Sequence, residues 1–255
     1  MLTVPRWAIV QPRMHWTLAD NLAVMLAAFE AAAAAGADGC LCTELALTGF
    51  HRRLPELLDA DALADAERQL RAACARLRMA AAVGLPTLGE GGAVFSSHVY
   101  IDAHGQEVGR VHKRGLTSSE AGFFAPGGAR GWTAIGGLLA TSVLCREMLD
   151  GAELLPELRA ALPSGDARPR VVFWPSYVGE SDAEQAALCK AYRIGAADLA
   201  RELGAWVLQS NWAESLNAPE HRGLGASVVI TPAGRLATTL PRDAAAQSLV
   251  ELTAA

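Results

Sequence analysis

Hydrophobic and polar positions in the first half of the chain alternate between the two-residue period of strands and the longer period of helices. Residues 7–11 (WAIVQ) form a short apolar run typical of a buried strand. Thr17 and Asp20 then resemble a helix capping box, and Gly36 is suited to end the helix that follows. In this half the pattern predicts strands at 7–11, 38–43, 79–85, 94–102 and 107–112, and helices at 17–36 and 54–77.

The second half repeats this rhythm. Ser181 and Glu184 have the spacing of a complete capping box, so we expect a long helix that begins there and ends at Gly204. Further strands are predicted at 137–144, 170–174, 205–210, 226–231 and 247–252, with a shorter helix at 152–161.

Two halves of this kind predict an α/β fold, a four-layer α-β-β-α sandwich of two mixed sheets with helices outside. An ordinary doubly wound sheet is the alternative. The consecutive strands that close each half argue against it, because doubly wound sheets alternate strand and helix throughout.

Composition narrows the choice of partners and compartment. The 255 residues carry a net charge of −5 and no basic block, so we expect neither a nucleic-acid nor a membrane partner. No linker divides the chain, which predicts one domain over residues 1–255. The amino-terminal apolar run is too short for a signal peptide, and no stretch has the length of a membrane span. We therefore expect a cytoplasmic protein.

The five cysteines follow neither a disulfide framework nor metal-ligand spacing. Cys40 and Cys42 alternate on a strand-like run, and no further Cys or His stands where it would complete a zinc site. We expect this pair to pack in the core as reduced thiols.

Three side chains of complementary chemistry stand at the ends of predicted strands. Glu44 follows LCT, Lys113 follows EVGRVH, and Cys145 ends GLLATSVLC. Catalytic groups gather at the carboxyl ends of strands in α/β sheets. Each residue also has an ordinary explanation, a solvated charge for Glu44 and Lys113 and core packing for Cys145. What distinguishes the set is that its members can act together.

The combination suits acyl transfer from an amide through a thioester. A thiol is a strong nucleophile but is largely protonated at neutral pH, so it needs a base or a cation beside it. A carboxylate in a dry pocket has a raised pKa and can serve first as base and then as acid. A lysine ammonium favours the thiolate and can stabilise an oxyanion together with a backbone N–H.

The sequence resembles the nitrilase (carbon–nitrogen hydrolase) superfamily over nearly its whole length. The segments AAAAAGADGCLCTELALTGF, VYIDAHGQEVGRVHKRGLTSSEAGFFAPG and SVLCRE are similar to the Glu, Lys and Cys motifs of that family. Later segments, VVFWPS, SNW and GASVVITPAGRL, also match its pattern. The order and spacing of the three motifs make the resemblance specific.

The resemblance implies the four-layer sandwich and a role for each residue. Glu44 would be the general base and later the acid, and Lys113 would stabilise the tetrahedral oxyanion. Cys145 would be the nucleophile, with the Arg146 backbone N–H as a second oxyanion donor. Glu120 matches the second glutamate of the family, which positions the lysine and the substrate; a solvated loop carboxylate is the alternative. The implied chemistry needs no metal and no organic cofactor.

The chain departs from the family pattern around these motifs. Thr43 stands where Pro is frequent, and Val111-His112 stands where Tyr-Arg is common. After Cys145 the chain lacks the Arg and the Pro-Glu pair that the family often shows. The departures leave the Glu-Lys-Cys set intact and leave the subfamily, and therefore the substrate, open.

Candidate substrate-binding residues follow strand ends or the nucleophile. Aromatic side chains at strand ends can line a pocket or pack in the core, and an arginine can pair with a substrate carboxylate. The candidates are Arg146, Phe50, Trp174, Tyr177 and Asn211.

We therefore predict an amidase-type hydrolase that cleaves a small linear amide, such as an N-carbamoyl or ω-amide compound, and releases ammonia or an amine. Alternatives within the fold are a nitrile-hydrolysing member, an acyl-transferring member, and a catalytically silent member that binds a ligand or partner. A Cys-His hydrolase of another fold would use one of His15, His51, His98, His104, His112 and His221. The family resemblance implies a homodimer or larger homo-oligomer.

Overall fold

The strands and helices alternate much as the hydrophobic pattern predicts, in a computed structural model that describes residues 4–254. The strands are β1 (Arg6–Gln11), β2 (Gly39–Leu41), β3 (Ala80–Leu88), β4 (Val94–Ile101), β5 (Glu107–His112), β6 (Thr133–Ile135), β7 (Leu138–Ser142), β8 (Arg170–Ser176), β9 (Trp206–Asn211), β10 (Val228–Ile230), β11 (Leu236–Thr239) and β12 (Ala246–Glu251). The α-helices are α1 (Leu18–Ala34), α2 (Ala60–Leu77), α3 (Ser118–Ala121), α4 (Gly151–Ala160) and α5 (Ala183–Leu203). Short 3₁₀ helices span Leu54–Leu57, Glu90–Gly92 and Cys145–Leu149.

The strands form two six-stranded mixed sheets. The first sheet has the order β12-β1-β2-β3-β4-β5 and the second has the order β11-β10-β9-β8-β7-β6. In each sheet three central strands are parallel, β1-β2-β3 in one and β7-β8-β9 in the other, and antiparallel strands flank them. Strand β5 is antiparallel to β4, which is antiparallel to β3, so β5 runs parallel to β3. The carboxyl ends of β2, β3 and β5 therefore share one edge.

Three apolar layers hold the sheets and helices together. The layer between the sheets includes Trp7, Ile9, Tyr100 and Phe173, all fully buried. A second layer joins the first sheet to α1 and α2, and it contains both Cys40 and Cys42. A third joins the second sheet to α4 and α5. This arrangement confirms the predicted four-layer α-β-β-α sandwich.

Several predicted boundaries shift in the structure. The helix predicted at 54–77 is a 3₁₀ turn followed by α2, because the Asp59 side chain accepts a hydrogen bond from Ala62 N and starts a new helix. Helix α5 is capped by Asp182, which accepts from Gln185 N, one residue later than the predicted cap Ser181. The helix α3 and the short strands β6 and β11 were not predicted.

The last strand of the chain belongs to the first sheet. β12 pairs antiparallel with β1, with Arg6 opposite Glu251. The second sheet therefore ends with β11 at one edge, and the final strand of the second half, β12, is an edge strand of the first sheet. None of the helices in the described range has the length and apolar character of a membrane span.

Candidate active site

Glu44 lies just beyond the end of β2 and is completely buried. Its backbone is held from two directions, because Trp212 Nε1 donates to the Glu44 carbonyl at 2.9 Å and Thr43 Oγ1 donates to Ser176 O at 2.7 Å. The next residue, Leu45, has φ +50°, in the left-handed region that costs a non-glycine residue about 1–2 kcal/mol. The surrounding fold therefore imposes the direction in which the Glu44 side chain points.

Gly84 on β3 makes room for this turn. A Cβ atom at Gly84 would lie 2.1 Å from Thr43 O and 2.5 Å from Leu45 N, both of which are backbone atoms. The chain therefore requires a glycine where β3 passes the Glu44 segment.

We expect Gly84→Ala to displace Glu44 and to destabilise the fold by about 2–4 kcal/mol, as overpacking of a buried backbone contact does. Turnover of an amide substrate and urea unfolding would be measured on the same preparation. Gly128→Ala is the matched control, because a Cβ there meets nothing within 4 Å. Equal stability and turnover for the two variants would contradict this account of Gly84.

Lys113 follows β5 and brings a buried ammonium between two carboxylates. Its Nζ donates to Glu44 Oε1 at 2.8 Å and to Glu120 Oε1 at 2.5 Å, and the Lys113 side chain is 0% exposed. Burial alone would lower the pKa of Lys113, but Glu44, Cys145 and Glu120 outweigh it and raise the pKa above the ordinary value. Lys113 is therefore a fixed positive charge at any pH near neutral.

Glu120 is held by the short helix α3, where it serves as part of a capping box. Thr117 Oγ1 accepts a hydrogen bond from Glu120 N, and Glu120 Oε2 accepts one from Thr117 N at 2.7 Å. One carboxylate oxygen of Glu120 therefore fixes the local backbone, while the other meets Lys113 Nζ.

The Glu44 carboxyl is poised to take up a proton. Burial raises its pKa from the ordinary value; the charge of Lys113 lowers it, the charge of Glu120 raises it, and the hydrogen bond from Lys113 lowers it in part. Its Oε2 is buried and has no hydrogen-bond partner in the range 4–254. An unpaired carboxylate oxygen with a raised pKa is suited to accept a proton from a nearby group.

Cys145 begins the 3₁₀ helix that follows β7, with φ +48°. Its Sγ donates to Tyr177 O at 3.8 Å, and Trp174 Nε1 donates to the Cys145 carbonyl at 3.1 Å. Burial raises the pKa of the Cys145 thiol, as does the charge of Glu44, while Lys113 lowers it in part. The thiol is therefore protonated at neutral pH and needs a base before it can act as a nucleophile.

Glu147 and Arg130 form a second buried ion pair, which the sequence did not reveal. Arg130 Nη1 and Nη2 donate to the two oxygens of Glu147 at 2.7 and 2.6 Å, and both side chains are 1% exposed. Glu147 also accepts from the backbone N–H groups of Arg114 (2.7 Å), Gly115 (2.9 Å) and Leu144 (2.8 Å). One carboxylate thus ties the segment after β5 to the end of β7.

Substitution of Glu147 should weaken the contact between the segment after β5 and the end of β7. We expect Glu147→Gln to destabilise the fold by about 3–5 kcal/mol, because the Arg130 charge would stay buried without its partner. Burial would raise the pKa of Glu147, but Arg130 outweighs it and holds the pKa below the ordinary value, so the stabilisation is lost as pH falls. Urea unfolding at neutral and acidic pH measures both effects, with exposed Glu153→Gln as the control. A Glu147→Gln protein as stable as the wild type would contradict the assignment of Glu147 and Arg130 as a stabilising buried ion pair.

A cavity of about 390 Å³ opens at Cys145. Three of the five predicted pocket residues, Phe50, Arg146 and Tyr177, line it. Phe50 stacks on Tyr177 with ring centroids 5.3 Å apart, and the Arg146 guanidinium is oriented by Asp150, at 3.0 and 3.3 Å. The cavity thus has an aromatic side and a cationic side around the thiol.

The other two predicted pocket residues lie outside the lining of this cavity. Trp174 packs in the outer core between the second sheet and its helices, and its indole N–H supports the Cys145 backbone. Asn211 accepts from Val178 N and donates to Val178 O and Gly225 O, so it fixes the loop that carries Tyr177. Both side chains hydrogen-bond to the backbone behind the site, and their contact with a substrate stays a prediction.

No histidine among residues 4–254 hydrogen-bonds to the Cys145 thiol, whose partner is Tyr177 O. His98 is fully buried between the sheets, where its Nδ1 bonds to Ser142 Oγ at 2.6 Å, and burial lowers its pKa to about 3. The geometry therefore favours Glu44 and Lys113, and not a histidine, as the groups that act with Cys145.

Comparison with known proteins agrees with this architecture. The family model described as carbon-nitrogen hydrolase matches residues 6–157. No curated protein matches the chain. An amidase from Nesterenkonia sp. has a similar structure, with 21% identity, a TM-score of 0.81, and coverage of 98% of this chain and 91% of that chain. A mutant of the Nesterenkonia sp. AN1 amidase in complex with butyramide has 20% identity, a TM-score of 0.83, and coverage of 99% and 92%.

These findings confirm the resemblance seen in the sequence. At this identity the solved structures establish a shared fold, whereas the family model covers more than half of the chain. The matched range contains Glu44, Lys113, Glu120 and Cys145. The chain belongs to the carbon–nitrogen hydrolase family.

Proposed function

We propose that this protein is a thiol-dependent hydrolase that cleaves the carbon–nitrogen bond of a small non-peptide amide through a thioester on Cys145. The observation that carries the proposal is the buried Lys113 ammonium, which bridges Glu44 and Glu120 beside the cavity that Cys145 lines. The solved structures of a similar amidase include complexes with acrylamide and butyramide, which supports a small amide as the substrate.

The first half of the reaction forms the thioester. Glu44 takes the proton of the Cys145 thiol, and the sulfur attacks the amide carbonyl carbon. The resulting oxyanion accepts hydrogen bonds from Lys113 Nζ and the Arg146 backbone N–H. Glu44 then gives its proton to the leaving nitrogen, the carbon–nitrogen bond breaks, and ammonia or an amine departs.

The second half regenerates the enzyme. A water molecule loses a proton to Glu44 and attacks the thioester carbonyl, and the carbon–sulfur bond breaks. The thiolate of Cys145 recovers the proton from Glu44 as the carboxylic acid leaves. Glu120 accepts a hydrogen bond from Lys113 Nζ and so holds the ammonium in position through both halves of the reaction.

The direct test is ammonia release from a panel of short aliphatic amides, ω-amides, N-carbamoyl amino acids and nitriles. Hydroxylamine in the assay would intercept a thioester and give a hydroxamate, which identifies the acyl-enzyme. Release from nitriles but not from amides would place the protein among nitrile-hydrolysing members. No release from any compound, together with Cys145 alkylated no faster than a free thiol, would favour a ligand-binding member.

The pH dependence of kcat/KM should follow the protonation of the Glu44 carboxyl. Because burial raises its pKa, the acidic limb of kcat/KM is expected to lie above the ordinary glutamate value, with activity rising as Glu44 loses its proton. Glu44→Gln should abolish turnover, whereas exposed Glu153→Gln should keep the wild-type profile. An acidic limb at or below the ordinary value would contradict the role of Glu44 as base.

Two further features belong to the proposal. We expect a cytoplasmic enzyme that forms a homodimer or larger homo-oligomer, and light scattering of the purified protein measures the second. No metal or organic cofactor takes part in the steps above.

A further inference from the structure

A second cavity adjoins the one that contains the thiol. It measures about 310 Å³, and Phe50, Ser119 and Glu120 line both cavities. These three residues are therefore a wall that the two spaces have in common. We call the second cavity the aromatic chamber. Its walls include Phe50, Leu54, Pro55, Ser119, Phe123 and Phe124.

Most of the wall of the aromatic chamber is apolar, and His51, Arg52, Glu120 and Asn217 complete its lining. Leu54 and Phe124 are buried in a small cluster of their own, and Phe50 and Phe123 pack against that cluster. Phe123 and Phe124 meet edge to face, with centroids 4.7 Å apart and planes at 84°. A mostly apolar wall with a few polar groups, next to a reactive group, is typical of a ligand subsite.

The opposite side of the site is closed. Glu44 and Lys113 are both 0% exposed, and neither lines either cavity. In the proposed reaction the leaving nitrogen faces Glu44, on the enclosed side of the site. This arrangement favours the smallest leaving group, ammonia, and therefore a primary amide whose acyl chain extends outward past Phe50.

We propose that the aromatic chamber is an acyl-group subsite that takes the aryl end of a primary arylalkanoic amide. This inference rests on the proposed amide hydrolysis and adds the class of acyl group. We assign the chamber to the substrate because it adjoins the thiol cavity and shares three wall residues with it. Short aliphatic amides would fill only the thiol cavity.

The test compares butyramide with 4-phenylbutyramide, which differ only by the terminal ring. We expect kcat/KM to be about tenfold higher for 4-phenylbutyramide, as partial burial of a phenyl ring provides. Phe123→Ala should lower this ratio at least about fivefold, because it removes one wall. Leu236→Ala, at an exposed position on β11, is the control and should keep the ratio.

A second variant keeps the proposal testable if Phe123→Ala does not fold. Ser119 is exposed on α3 and lies in the wall that the two cavities share, so Ser119→Trp should narrow the passage and lower the same ratio. A ratio near one in the wild type, or a ratio that neither variant changes, would overturn the proposal.

Binding to Cys145→Ala, measured by calorimetry, separates this inference from the proposed function. If neither amide is hydrolysed but 4-phenylbutyramide binds about tenfold tighter than butyramide, the chamber stands and the hydrolytic function fails. If butyramide is hydrolysed and both amides bind equally, the function stands and the chamber assignment fails. Equal binding without hydrolysis overturns both.

Discussion

Cys145→Ala is expected to lower ammonia release by about 10⁴-fold or more, because the reaction loses the thiol that acts with Glu44 and Lys113. Substrate binding should survive, since the substitution removes a single buried sulfur at the cavity wall. Steady-state kinetics and calorimetry on the same protein measure both quantities.

Cys74→Ala is the matched control for this substitution. Cys74 is also a buried thiol, but it packs between the first sheet and its helices, remote from the cavity. Burial raises its pKa to about 12, so it is an inert thiol. The control should lose stability and keep turnover. Turnover by Cys145→Ala within tenfold of the wild type would exclude a Cys145 thioester as the main route.

Lys113→Met is expected to have the second-largest effect, with turnover lower by about 10³-fold as an oxyanion donor is lost. It should also destabilise the fold by about 3–5 kcal/mol, because Glu44 would remain buried beside Glu120 without a cation. The carboxyl of Glu44, whose pKa is already raised by burial, would then hold its proton more strongly.

The loss of stability in Lys113→Met should depend on pH, in a direction that the raised pKa of Glu44 determines. A group whose folded-state pKa is raised contributes stability below its unfolded pKa and loses it as pH rises through the folded value. Lys113→Met should therefore be closest to the wild type in mildly acid solution and fall further behind as pH rises. Urea unfolding across this range measures the difference.

The chain contains its own control for this experiment. Lys190 is the only other lysine in the sequence, and it lies exposed on α5. Lys190→Met should leave both turnover and stability near the wild type. A Lys113→Met protein whose stability loss is constant with pH would contradict the account of the buried charges.

Much of the fold could be predicted from sequence because the apolar periods are long and clear. The positions of Glu44, Lys113 and Cys145 at strand ends followed from those periods. In the first sheet, the parallel direction of β2 and β5 brings Glu44 and Lys113 to one edge. Helix starts were less certain. Asp59 and Asp182 cap their helices through side-chain hydrogen bonds, and several neighbouring residues offered the same chemistry.

The ion pair of Glu147 with Arg130 could not be predicted because no local pattern links the two residues. Arg130 lies in an irregular segment, and only the packing of the sheets brings it to Glu147. The same limit explains Trp174 and Asn211. A sequence places a residue at the end of a strand, but the register of the strand decides which face its side chain takes. Trp174 faces the helices and Asn211 fixes a loop.

The proposed reactive groups come from two sheets. Glu44 and Lys113 follow strands of the first sheet, whereas Cys145 follows a strand of the second. Each sheet can therefore form its hydrogen bonds during refolding before any of these groups meet. Circular dichroism would report the sheets as they form, while the return of turnover would report the later moment at which they dock. Activity in this protein is thus a kinetic probe of the interface between its two sheets.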